Sequence, residues 1–108
     1  MKNMRTKINF KKLIGIIPVV IQEKESGLIL MVGFMNKQAF SVSRESGYVV
    51  FWSRARKTIW PKGETSGNKF RILEIKSDCD RDSLLIQVKL EGDNACHLGY
   101  KSCFQNLL

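Results

Sequence analysis

Short apolar runs alternate with polar, glycine-bearing breaks along this chain, and that rhythm predicts strands with one helix among them. Pro18 to Gln22 is short and β-branched and predicts a strand, Glu23 to Gly27 a turn, and Leu28 to Phe34 a second strand, so the pair forms a hairpin. Asn36 is a good helix N-cap and Gly47 a good C-terminal stop, and no proline lies between them. Tyr48 to Arg54 is aromatic and β-branched and predicts a further strand. Thr58 to Asn68 carries Pro61, Gly63 and Gly67 and predicts a long structured loop. Phe70 to Lys76 and Leu84 to Leu90 predict two more strands joined by a polar turn over Ser77 to Ser83. In the last strand Leu84, Ile86, Val88 and Leu90 share one face, which makes that face apolar. The segment from Gly92 onward predicts irregular structure. The class is therefore α+β, a mostly antiparallel β-sheet with one short helix.

Length and composition narrow the picture. A chain of 108 residues suggests one domain, with residues 1–13 as a basic lead-in and 14–108 as the folded unit. The longest apolar run, Gly27 to Met35, is broken by Gly33 and is too short to span a membrane. No secretory signal is legible, so the expected compartment is the cytoplasm. The net charge of +8 suits a solvated basic surface, nucleic acid, or a small anionic substrate such as a nucleotide with two phosphates. The basic residues are spread along the chain, apart from a modest cluster at Lys2 to Lys12, which weighs against nucleic acid.

Three cysteines, an odd count, argue against a disulfide framework and for free thiols or a metal site. They are Cys79, Cys96 and Cys103, and the sole histidine, His97, follows Cys96 directly. Three thiolates hold zinc with an open fourth position, as a catalytic zinc requires. Buried cysteines are also ordinary small hydrophobes, and loose spacing favours that plainer reading until the neighbours are weighed. Asp78, Asp80 and Asp82 surround Cys79, and three carboxylates within five residues suit a hard cation such as magnesium. An extended segment would put all three on one face and a turn could also converge them, but on spacing alone a polar hairpin tip explains the same aspartates slightly better. His97 is the natural acid or base near neutral pH.

Two basic segments are candidates for phosphate contact. Trp52-Ser53-Arg54-Ala55-Arg56 would place two arginines on one side of an extended strand, and arginine suits bidentate phosphate binding. Trp60 to Gly67 combines Lys62, Glu64, Thr65 and Ser66 with two glycines, whose backbone N–H groups can approach a phosphate closely. Solvated strand and loop faces compete with both readings.

Taken together and in this order, the blocks resemble the phosphoribosyl-AMP cyclohydrolase family. They are Gly33-Phe34-Met35-Asn36, Phe51-Trp52-Ser53-Arg54, Trp60 with Lys62 to Gly67, Asp78-Cys79-Asp80 with Asp82, Ala95-Cys96-His97 with Gly99, and Ser102-Cys103-Phe104. The resemblance runs from about Ile14 to Phe104, nearly the whole chain. It implies hydrolytic opening of the adenine ring of phosphoribosyl-AMP between N1 and C6, the third step of histidine biosynthesis. It implies zinc on Cys79, Cys96 and Cys103, magnesium on Asp78, Asp80 and Asp82, and His97 as general base. The substrate-facing set is then Trp52, Ser53, Arg54, Lys62, Glu64, Thr65 and Ser66. The family forms an intertwined homodimer with each zinc site at the interface and built from both chains. Neither nucleic acid nor membrane is an expected partner. Val50, Arg81, Leu98 and Tyr100 depart from the usual family pattern, and the last two put substrate contacts beside the zinc in question. With the chain ending at Leu108, a fused pyrophosphohydrolase domain is not expected. The rival readings are a zinc-stabilised nucleic-acid module, which needs a fourth protein ligand, and a deaminase-like hydrolase of another nucleotide.

Overall fold

In the computed structural model, which describes residues 7–10 and 15–108, six strands and one helix follow in the order β1 (Ile16–Glu23), β2 (Ile29–Asn36), α1 (Lys37–Ser46), β3 (Val50–Ser53), β4 (Thr58–Pro61), β5 (Lys69–Ser77) and β6 (Leu84–Glu91). Most of the lead-in expected over residues 1–13 therefore lies outside the described residues. The α+β class holds. The main sheet has the order β2-β1-β6-β5, and β3 pairs with β4 in a separate two-stranded ribbon. The β1–β2 and β5–β6 pairs are antiparallel, while β1 and β6 run parallel. A parallel neighbour needs a long crossover, here supplied by everything from β2 to β5.

Alternation sets which face is buried. Ile17, Val19 and Ile21 of β1 face the core beside Leu84, Ile86 and Val88 of β6. Each such aliphatic burial contributes about 1.5–3 kcal/mol. Phe70 of β5 and Phe51 of β3 complete this layer, both fully buried. Gly33 lies under the Phe51 ring, where a Cβ would come within 2.5 Å of it, so only glycine lets β3 lie this close to β2.

The helix is bounded as its sequence predicts. Asn36 accepts the Ala39 N–H at 2.8 Å, and the left-handed Gly47 donates to the Ser43 carbonyl at 2.9 Å. Ser43, fully buried, accepts the Val50 N–H at 2.8 Å and so ties α1 to the start of β3.

The structure corrects two expectations. The long loop expected over Thr58 to Asn68 contains β4, where Thr58, Ile59 and Trp60 pair with Ser53, Trp52 and Phe51. Pro61 ends that strand, and proline and glycine dominated the local signal beside residues that favour β structure. The two arginines do not lie along a strand. Arg54 to Lys57 forms the turn between β3 and β4, with Lys57 in the left-handed region at φ 54. No helix among the described residues is long and apolar enough to cross a membrane.

Candidate active site

The strand β6 carries a chemically distinctive segment at each end. An eight-residue strand rises ~3.3 Å per residue, so its ends are separated by roughly 25 Å. The aspartates and Cys79 precede it, and Cys96, His97 and Cys103 follow it.

The segment after β6 forms a tight loop. The Ala95 N–H donates to the Lys101 carbonyl at 3.0 Å, and the Cys96 N–H to the Tyr100 carbonyl at 3.0 Å. Long-range bonds then fix this loop on the sheet. The Ser102 hydroxyl donates to the Ile29 carbonyl at 2.6 Å, and the Cys103 N–H to the Leu30 carbonyl at 2.8 Å. Lys101 pairs with Glu23 at 3.0 Å. The Glu23 carboxyl is held below its usual range by hydrogen bonds from Ser26 and Lys101. These ties bring Cys96, which is buried, near Cys103, which is exposed, close enough for each sulfur to act on the other. Burial and then the neighbouring Cys96 sulfur push the Cys103 thiol up, and the Lys62 ammonium pulls it back. His97 is exposed beside this pair, and Leu98 and Tyr100 stand out at the loop tip.

The segment before β6 closes on itself. Asp78 Oδ1 accepts the N–H groups of Asp82 at 3.1 Å and Ser83 at 3.2 Å. Desolvation pushes the Asp78 carboxyl up, but hydrogen bonds from Asp82, Ser83 and Arg81 outweigh it and hold the pKa below the carboxylate range. Arg81 takes the left-handed conformation at φ 62 that lets the turn reverse. The carboxylates of Asp78, Asp80 and Asp82 converge to within 4.8 Å of one another, close enough for one hard cation. Asn9 of the lead-in donates to the Arg81 carbonyl at 2.7 Å and braces the turn.

Of the three cysteines, then, two meet. Cys79 stays in the aspartate turn, where its thiol donates to Asp80 Oδ1 at 3.8 Å. Among the described residues it forms no metal-ligand group with Cys96 and Cys103.

The expected substrate-facing residues fall into two places. Trp52, Ser53 and Arg54 line a groove of about 460 Å³ with Phe34, Arg56 and Trp60. The Arg54 guanidinium lies over the Phe34 ring, 3.8 Å from its centroid. Lys62, Glu64, Thr65 and Ser66 do not line this groove and lie instead in the turn after β4. The Glu64 and Gly67 N–H groups of that turn are spent on the Pro61 and Gly63 carbonyls, at 3.2 and 2.9 Å. Lys62 is half-buried and near enough to Cys103 and Cys96 for their charges to act on it.

Sequence reasoning missed the residues that assemble these pieces. Asn68 accepts the Asp93 N–H at 3.1 Å and packs so tightly on Gly63 and Gly92 that neither can carry a side chain. It thereby brackets the lysine turn and the start of the cysteine loop together. Ser102, Glu23 and Lys101 act over similarly long sequence separations, and no local signal marks any of them.

The donor chemistry fits two different metals. Paired thiols suit zinc, and converged carboxylates suit magnesium. The model of the phosphoribosyl-AMP cyclohydrolase family matches residues 31–105, a span containing both segments. A phosphoribosyl-AMP cyclohydrolase of Solibacter usitatus is 47% identical over 97 residues, covering 90% of this chain and 77% of the relative. One of Citrifermentans bemidjiense is 49% identical, covering 91% of this chain and 78% of the relative. The histidine biosynthesis bifunctional protein HisIE of Photobacterium profundum is 48% identical over 94% of this chain, which spans 48% of that protein. With the fold, the ordered blocks and these relatives in agreement, the chain belongs to the phosphoribosyl-AMP cyclohydrolase family, hydrolases of histidine biosynthesis.

Proposed function

We propose that this chain opens the adenine ring of 1-(5-phosphoribosyl)-AMP by hydrolysis between N1 and C6, using zinc on Cys79, Cys96 and Cys103 and magnesium on Asp78, Asp80 and Asp82. The observation that carries the zinc assignment is the Cys96–Cys103 thiol pair, pinned to β2 and left with room for further ligands on its exposed side. A third thiolate is needed, and Cys79 sits at the far end of β6. A second copy can supply it, so the complete site belongs to an intertwined homodimer. The three free thiols suit the reducing cytoplasm, where we place the protein.

Zinc bound there supplies Lewis acidity that lowers the pKa of a water molecule. The chain's own residues do the rest. His97, next to Cys96 and exposed, takes the proton as water adds to C6. The groove walled by Trp52 and Trp60 accepts the flat base, Ser53 donates to it, and Arg54 meets a phosphate while its guanidinium stacks on Phe34. Glu64, Thr65 and Ser66, on an exposed turn, meet the sugar and the second phosphate. Asp78, Asp80 and Asp82 would hold magnesium, which would supply positive charge toward the anionic substrate.

Turnover of phosphoribosyl-AMP, followed by ultraviolet absorbance with zinc and magnesium present, tests the reaction. Ring opening is expected. No absorbance change with both metals bound, verified by metal analysis, overturns the assignment.

A further inference from the structure

Lys62 is an odd residue to find half-buried. Its ammonium lies over the fully buried Phe70 ring, 5.3 Å from the centroid. Among the described residues no carboxylate forms an ion pair with it. A cation drawn out of water without an anion is costly. Burial pulls the ammonium's pKa down. The backbone around it is held firmly. The Lys62 N–H donates to the Val49 carbonyl at 3.1 Å, and Gly63, at φ +85, is wedged against Asn68. Asn68 in turn holds Asp93, two residues before the cysteine loop. The lysine turn and the start of the cysteine loop thus sit on one bracket, and Lys62 does not line the groove of Trp52 and Arg54.

We propose that Lys62 is the counter-charge of the cysteine site, a positioning residue that balances the paired thiolates and so governs how tightly zinc is retained, and that it is not a phosphate anchor. The proposal rests on the zinc reading above. Three thiolates around a divalent ion leave a net charge of minus one, and a fixed ammonium alongside cancels it in a partly desolvated place. Two sulfurs held side by side repel when ionised, so this cation also reduces the cost of keeping them together. Neighbours of this kind typically govern metal affinity about 10–100-fold. The Phe70 ring adds to the design, because its face holds the ammonium inward and keeps it from swinging into solvent.

The experiment is zinc competition on the full chain against a chromophoric chelator, with KM for phosphoribosyl-AMP measured alongside. Lys62→Met should weaken zinc binding about 10–100-fold, and Lys62→Arg, which keeps the charge, should restore most of it. Once excess zinc is supplied, KM of Lys62→Met should stay near the wild-type value. Zinc affinity unchanged in Lys62→Met with KM raised makes the lysine a phosphate anchor and overturns the proposal. If Lys62→Met does not fold, Lys62→Gln carries the same test, and Gln holding zinc as tightly as Arg also overturns it. Wild-type protein that takes up no zinc overturns the metal reading and this proposal together, whereas failure confined to the Lys62 variants overturns the proposal alone.

Discussion

The aspartate turn and the cysteine loop sit at opposite ends of one strand, and they are built on opposite principles. The turn before β6 is closed by its own backbone, with Asp78 capping the N–H groups of Asp82 and Ser83. Its three carboxylates converge within a single chain. The loop after β6 depends on distant partners: Ser102 on Ile29, Cys103 on Leu30, and Lys101 on Glu23. It gathers two sulfurs, and in the zinc reading proposed above the third ligand comes from elsewhere. Residues close in sequence can shape a cation site by turn chemistry alone, whereas sulfurs gathered from distant parts of the chain need the whole topology, and the zinc reading proposed above also needs a second copy.

That contrast predicts its own largest effect. Cys96→Ala and Cys79→Ala should each lose zinc and activity when pure. Mixed after unfolding and refolding, they should recover about one quarter of wild-type activity, because half of randomly paired dimers carry one intact site of two. Activity that stays at background in the mixture, with dimers confirmed by mass, would place all three sulfurs in one chain and end the contrast. No such rescue is expected between Asp78→Asn and Asp82→Asn chains, because those ligands are gathered within one turn.

Within the turn, Asp78 has two separable roles. Asparagine keeps the oxygen that caps the turn and loses the charge, while alanine loses both. Asp78→Asn should weaken magnesium binding at least about tenfold, the low end for losing a metal-site group, with the melting temperature kept. Asp78→Ala should lower both. Equal magnesium affinity in wild-type and Asp78→Asn protein, measured by calorimetry, would leave the turn a capped hairpin tip and nothing more.

The same division between local and distant explains what the sequence made legible. The helix was readable because Asn36 and Gly47 cap it by local geometry. The apolar face of β6 was readable from the alternation of Leu84, Ile86 and Val88. The convergence of Asp78, Asp80 and Asp82 was open between an extended and a turned form, and the left-handed Arg81 decides it. The parallel pairing of β1 with β6 was not readable, because it depends on how the intervening elements cross the sheet. Nor was the placement of Arg54 in a turn, or of Lys62 half-buried over the Phe70 ring. Both follow from β4, whose strand signal at Thr58 to Trp60 is followed at once by Pro61 and Gly63. The bracket at Asn68 joins residues on two separate loops, and no spacing rule marks it.

A mid-sized effect probes the loop's tethers. Ser102 is buried and spends its hydroxyl on the Ile29 carbonyl while accepting the Phe104 N–H at 3.0 Å. Ser102→Ala should cost about 1–2 kcal/mol of stability and weaken zinc retention, since Cys103 is the next residue. Magnesium affinity should be unmoved. Equal loss of both metals would mean that the two ends of β6 fail together, and that they are not independent structures.

The smallest effect uses pH. Hydrogen bonds from Ser26 and Lys101 lower the Glu23 pKa in the folded chain. A carboxylate with a depressed folded pKa adds stability above its unfolded pKa and loses that contribution as pH falls through the folded value. Lys101 is half exposed, so the pair is worth only about 0.5 kcal/mol. Glu23→Gln should therefore melt roughly 3 °C below wild type at pH 7, and the gap should close once the pH drops below the carboxylate range. The glutamine also loosens the link between β1 and the cysteine loop, so zinc should leave it slightly faster at neutral pH. A gap that persists unchanged in acid would show that Glu23 acts through packing, and the loop would then be held by its two backbone bonds to β2 and not by charge.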